Sequence, residues 1–127
     1  MSPPSPVDPP ARAWLRVDVQ RARAGSGAWV RAAGELDAAT APRLQGELDT
    51  LLESGHRELD VDLDEVSFCD VAGLNVLLHA RAAALAAGGR FTLHGNCPTL
   101  RMMLRVLRLE RVFEPIRQDG QPAGDEA

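Results

Sequence analysis

The sequence predicts an α/β fold: a mixed β-sheet opened by an N-terminal hairpin and continued by βαβ crossovers, with helices packed against it. Two observations carry this expectation. Segments that alternate apolar and polar residues give way to segments with leucines at helical spacing, in the order β, β, α, β, α, β, α, β. The stretch Val66–Leu78, VSFCDVAGLNVLL, begins apolar and β-prone, is interrupted by Asp70, and continues with Leu74, Leu77, Leu78 and later Leu85. A strand therefore runs straight into a helix, and Asp70 is placed to cap it by accepting from the amides of Ala72 and Gly73. Gly73 leaves no side chain near those amides, so a partner could approach the backbone there.

Taken in order, Met1 to Pro10 holds five prolines and, after Met1, a single apolar residue, Val7, too little to offset the entropy of ordering it. Residues 1–11 are expected to form a disordered Pro-rich tail, 12–117 the folded domain and 118–127 a flexible polar tail. Ala13 to Gln20, with Trp14, Leu15, Val17 and Val19, and Ala28 to Ala33, with Trp29 and Val30, read as two strands. Gly25-Ser26-Gly27 supplies the turn of an edge hairpin. Gly34-Glu35-Leu36-Asp37 ends the second strand. Ala38 to Glu53 then repeats Leu44, Leu48, Leu51 and Leu52 on one helical face, with Asp37 or Thr40 as cap, Pro42 in the first turn and Ser54-Gly55 as the stop. Leu59 to Phe68 is the strand that feeds Asp70. Its helix ends at Gly88-Gly89, Arg90 to His94 is a further strand, and Pro98 opens a helix carrying Leu100, Met103, Leu104 and Leu107. Val112 to Ile116 reads as a last short strand.

Length and charge narrow the function classes. One domain of 127 residues buries a core without staples. A net charge of -4 and a pI near 5.3 argue against direct nucleic-acid binding, which needs a basic face. Protein partners are the expectation. The two cysteines, Cys69 and Cys97, have no framework spacing, and no stretch resembles a signal peptide or the roughly 20 apolar residues of a membrane span. A cytoplasmic protein with no direct membrane insertion follows.

Few residues point to chemistry. Asp60, Asp62 and Asp64 share one face of a strand without converging on a point, which reads as a polar sheet face and not a metal site. His56, His79 and His94 are scattered and lack HxxxH or CxxC spacing. Cys69, beside Asp70, is the most tempting nucleophile, but at an apolar strand end it reads as a small hydrophobe. There is no Walker loop, no GxGxxG and no nucleophile elbow, so no enzyme, metal or cofactor is expected. Arg101, Arg105, Arg108 and Arg111 step along one side of the last helix and just beyond it. They read as a solvated basic face, or as a surface for an acidic partner.

The run Phe68-Cys69-Asp70-Val71-Ala72-Gly73-Leu74 resembles the phosphorylation-site loop of STAS domains, specifically bacterial anti-sigma factor antagonists. That loop has an apolar pair, Asp, a small residue, Ser or Thr, Gly and Leu. Gly34-Glu35-Leu36-Asp37 followed by Thr40 resembles the neighbouring strand-to-helix junction. The resemblance covers about Trp14 to Pro115 and implies a STAS fold. It also implies partner switching, in which a kinase-type anti-sigma factor with a histidine-kinase-like ATPase fold docks on this loop and is held away from its sigma factor. Asp70, Val71, Ala72, Gly73, Asp37 and Thr40 are then the partner-binding positions. Ala72 stands where the family carries its phosphate-accepting hydroxyl, so the usual switch is expected to be missing. The alternative is an accessory or scaffold subunit of a stressosome-like or transporter complex. The resemblance leaves monomer or weak dimer open.

Overall fold

A computed structural model describes residues 14–113, 116 and 117, so the two tails lie outside the described residues. Four strands, β1 (Leu15–Arg21), β2 (Gly27–Leu36), β3 (Glu58–Cys69) and β4 (Arg90–His94), form one sheet in the order β1-β2-β3-β4. β1 and β2 are the antiparallel hairpin, while β2–β3 and β3–β4 are parallel. The crossovers are α1 (Ala41–Glu53) and α2 (Val71–Ala86), and α3 (Pro98–Val106) follows β4. The mixed sheet opened by a hairpin is thus the architecture that the alternating pattern predicts.

Register turns that pattern into two faces. Val19 pairs with Val30, Val30 with Val61, and Val61 with Leu93, so one apolar row crosses all four strands. It lies in a single core with Leu44, Leu48 and Leu51 of α1 and Leu74, Leu77, Ala80 and Ala84 of α2. On the opposite face Arg31 pairs in register with Asp62 and Asp62 with His94, which gathers polar side chains on the other side of the same strands.

Several expectations need correction. β2 runs past Ala33 to Leu36 through a register shift at Gly34–Glu35, and α1 begins at Ala41 instead of Ala38. Trp14 precedes β1 and is 48% exposed. Leu78 is only partly buried, and Leu85 and Leu107 are exposed, because the core-facing side of α2 is completed by alanines and α3 ends before Leu107. The expected strand at Val112 to Ile116 is replaced in part by a single 3-10 turn, Glu110–Phe113, that buries Phe113. Among the described residues an isolated bridge, His94 to Arg117, follows it, and residues 114 and 115 lie outside them.

The three helices end alike. After α1 and α2 the chain turns through Gly55 (φ 93°) and Gly88 (φ 84°), with His56 N donating to Leu51 O at 2.9 Å and Gly89 N to Ala84 O at 2.8 Å. These are left-handed caps that recover carbonyls orphaned at a helix end. After α3 the same turn is made at Arg108 (φ 60°), with Leu109 N donating to Leu104 O at 2.7 Å. A side chain costs more than glycine in this backbone region.

Candidate functional site at the β3–α2 junction

Leu36 and Cys69 are in register at the ends of β2 and β3, so both strand-to-helix junctions leave the sheet at one edge. That edge is the carboxyl end of adjacent parallel strands, where open α/β sheets place their sites. Asp70 N donates to Leu36 O at 3.1 Å and binds one junction to the other.

The Asp70 cap forms as its position in the sequence predicts. The backbone is extended at Asp70 (φ −110°, ψ −167°), and Oδ1 accepts from Ala72 N at 2.9 Å and from Gly73 N at 3.3 Å. Two amides of the first turn are thereby satisfied by a carboxylate that also suits the positive helix end. Val71 is 56% exposed at the tip, and Ala72 beside it is partly buried.

Gly73 faces inward, which corrects its expected role. A Cβ on it would lie 2.6 Å from Leu36 Cγ and 2.8 Å from Cys69 Sγ. The missing side chain lets α2 close on the core and does not open the helix amides to a visitor. Leu36 is fully buried and has little room to give. Gly73→Ala is therefore expected to cost about 1–3 kcal/mol by overpacking. Chemical denaturation measures this, and a loss below about 0.3 kcal/mol would mean the junction is looser than the contacts imply.

At the neighbouring junction Asp37 Oδ1 accepts from Ala39 N at 3.0 Å and Thr40 N at 3.2 Å. Thr40 is buried, and its hydroxyl donates to Glu35 O at 2.6 Å while accepting from Asp37 N at 3.0 Å. Thr40 occupies the cap position of α1 but turns its side chain back into the turn, so that only its carbonyl, which accepts from Arg43 N at 2.9 Å, and not its hydroxyl, bonds to that helix. Asp37, Asp70 and Val71 thus lie toward the surface of this edge, and Thr40 and Gly73 support it from within.

Cys69 is buried at the end of β3. Burial foremost, then the nearby Cys97 and Asp70, push its thiol up to about 12, so the thiolate is scarce at neutral pH. Because the folded state keeps this proton while the unfolded thiol releases it from about pH 9, stability should fall as pH rises from about 9 toward 12. The contribution is fully present below the unfolded value. Melting temperatures of wild type and Cys69→Ala across that range test this: the alkaline decline should be shallower in the variant, and equal slopes would refute it.

The remaining candidates lie elsewhere. His94 Nε2 is 2.8 Å from Asp60 Oδ1 and its ring stands 4.4 Å from that of Trp29, while Arg31 Nε pairs with the buried Asp62 at 3.0 Å. Asp64 Oδ1 accepts from Asn96 N at 3.1 Å. The three aspartates therefore hold the polar face of the sheet together, and among the described residues no three His, Cys, Asp or Glu side chains converge as a metal site. His56 and His79 are apart from them, partly buried and exposed respectively. Arg101 and Arg105 are on α3, Arg108 just after it and Arg111 in the 3-10 turn, that is, on the last helix and just beyond it as expected.

One participant escaped the sequence reading. Cys69 N donates to Thr99 Oγ1 at 2.8 Å, which fastens the start of α3 against the end of β3. Only the Pro98-Thr99 pair at a helix start hinted at it.

The chain is similar in sequence and in fold to known proteins. The family model described as Mlab, STAS domain matches residues 19–117. An anti-sigma-B factor antagonist of Listeria monocytogenes is 30% identical over 95 residues, spanning 75% of this chain and 83% of the relative. Among solved structures, an anti-sigma factor antagonist from Mycobacterium paratuberculosis shares the fold with a TM-score of 0.70 at 23% identity, over 82% of this chain and 86% of that one. The Bacillus cell fate determinant SpoIIAA in its phosphorylated form gives 0.63 at 20% identity, over 76% and 86%. From the β1–β2 hairpin through the capped β3–α2 junction to the bridge at Arg117, this chain belongs to the STAS domain family.

Proposed function

We propose that this protein is a non-enzymatic partner-switching module that binds an anti-sigma factor of kinase-like ATPase fold and so frees a sigma factor, in the cytoplasm where such partners act. The 30% identity to the anti-sigma-B factor antagonist of Listeria monocytogenes supports the class of function. The observation that carries the reading for this chain is the β3–α2 junction: Asp70 locked onto the first turn of α2, with Val71 exposed beside it. Asp70, Val71 and Ala72 are the proposed contacts, flanked by Asp37, while Gly73 and Thr40 keep the two turns in shape. Ala72 offers no hydroxyl, so binding is governed by the abundance of the two proteins and not by a kinase step.

Asp70→Ala separates this reading from a merely structural cap. Loss of the cap costs about 1 kcal/mol of stability. Binding to the ATPase-type anti-sigma factor, followed by titration calorimetry, should weaken by about 30-fold, close to 2 kcal/mol, because a positioned carboxylate is removed from the interface. If affinity falls no further than stability does, the junction is only a helix cap.

A further inference from the structure

Phe68 and Val71 at the β3–α2 junction are exposed, and so are Met102 and Val106 on α3. Thr99, Met102 and Val106 follow one another at three and four residues and share one side of α3, whereas Leu100 and Leu104 are buried in the core. Thr99 is the residue bonded to Cys69 N. The apolar stripe of α3 therefore starts at the junction and runs away from it, and Val106 near its far end is 72% exposed. Arg101 and Arg105, four residues apart, flank the stripe on its other side, and Arg108 and Arg111 follow. All four arginines are exposed, and among the described residues none is ion-paired.

Arg108 adds an independent sign of use. It holds the left-handed cap that glycine holds after α1 and α2. A local rule broken at an exposed cationic side chain is the kind of conflict that function maintains.

We propose that this face of α3 is the second half of the docking surface, and that it seats an acidic segment of the partner whose apolar residues cover Met102 and Val106. The proposal rests on the reading above and names the chemistry of the partner at that site. Charge complementarity selects the occupant. In a chain of net charge -4, Arg101 and Arg105 flank the apolar stripe and Arg108 and Arg111 follow it in the chain, and the guanidinium fork matches carboxylates in pairs. A lipid surface fits less well, because α3 has only nine residues and the acidic Asp70 and Glu110 stand close by in a chain that is acidic overall.

The test measures binding of the full chain to the ATPase-type anti-sigma factor at low and high salt. The double variant Arg101→Glu/Arg105→Glu should weaken binding by about 10-fold or more at low salt and flatten the salt dependence. Val106→Ser should weaken it by about 5-fold and leave the salt dependence unchanged. Arg108→Gly should raise the melting temperature by a few degrees yet weaken binding by about 3-fold, an outcome that misfolding cannot imitate. Leu85→Ser, an exposed apolar change elsewhere, should leave affinity as it is. Normal binding by the α3 variants, with Asp70→Ala impaired, overturns this inference alone. No binding by the wild type overturns the parent reading and this one with it. Binding of the wild type to phosphatidylglycerol vesicles, lost in the arginine variant, would reassign the face to a membrane and overturn it as well.

Discussion

In the presence of ATP and a kinase-type partner, the wild-type β3–α2 loop is expected to incorporate no phosphate, whereas Ala72→Ser should incorporate it and then lose affinity by about 30-fold or more. The physical argument starts from the cap. Asp70 Oδ1 already accepts the amides of Ala72 and Gly73, so two of the groups that could compensate a new anion are occupied. A phosphate at position 72 would add about -1.5 to -2 charges at pH 7, two residues from the Asp70 carboxylate and inside the proposed contact. Repulsion together with incomplete desolvation of that charge is worth about 2 kcal/mol or more, which is the stated loss in affinity. The serine itself, partly buried at the start of a helix, should change stability by less than about 0.5 kcal/mol. Mass spectrometry of the loop and titration of both forms are the measurements. Phosphate on the wild-type loop would show that the switch has moved, for example to Ser67, whose hydroxyl donates to Gly34 O at 3.2 Å. A bound, active kinase that never modifies Ala72→Ser would show that Asp70 and Gly73 are kept for the fold alone.

Leu77→Ala carries the largest expected effect on stability, a loss of about 2–5 kcal/mol in urea or guanidinium denaturation. Leu77 has no exposed surface and lies among the apolar side chains shared by α1, α2 and the sheet. Truncation leaves a cavity that fully buried neighbours cannot collapse into. A domain of ordinary stability, roughly 5–15 kcal/mol, would lose a large share of it. Leu78 is the comparison: partly buried beside the core, its truncation should cost closer to about 1 kcal/mol. Equal losses at the two positions, or a loss below about 1 kcal/mol at Leu77, would mean that α2 is rotated from the orientation described.

The sequence by itself determined the order of the elements from β1 through α3, the hairpin start, and the Asp70 cap down to the two amides that it accepts. These features depend on contacts within a few residues: side-chain alternation in strands, leucine spacing in helices, and a carboxylate placed two and three positions before the amides it meets. Tertiary structure decided what depends on neighbours distant in the chain. Leu74 and Leu77 were separable from Leu78 and Leu85 only once α2 had closed on the sheet, because an alanine-rich helix is apolar on too many sides for spacing alone to orient it. The demand on Gly73 comes from Leu36, which is brought beside it when β2 and β3 pair. Asp60, Asp62 and Asp64 have one pattern in sequence but separate partners in space, His94 and Arg90, Arg31, and the backbone of Asn96. The proposed docking face would join residues from β3, α2 and α3, and the bond from Cys69 N to Thr99 Oγ1 helps to hold the start of α3 against the end of β3. Local hydrogen bonds and periodicity can be read along a chain, whereas burial and juxtaposition exist only after distant segments have packed.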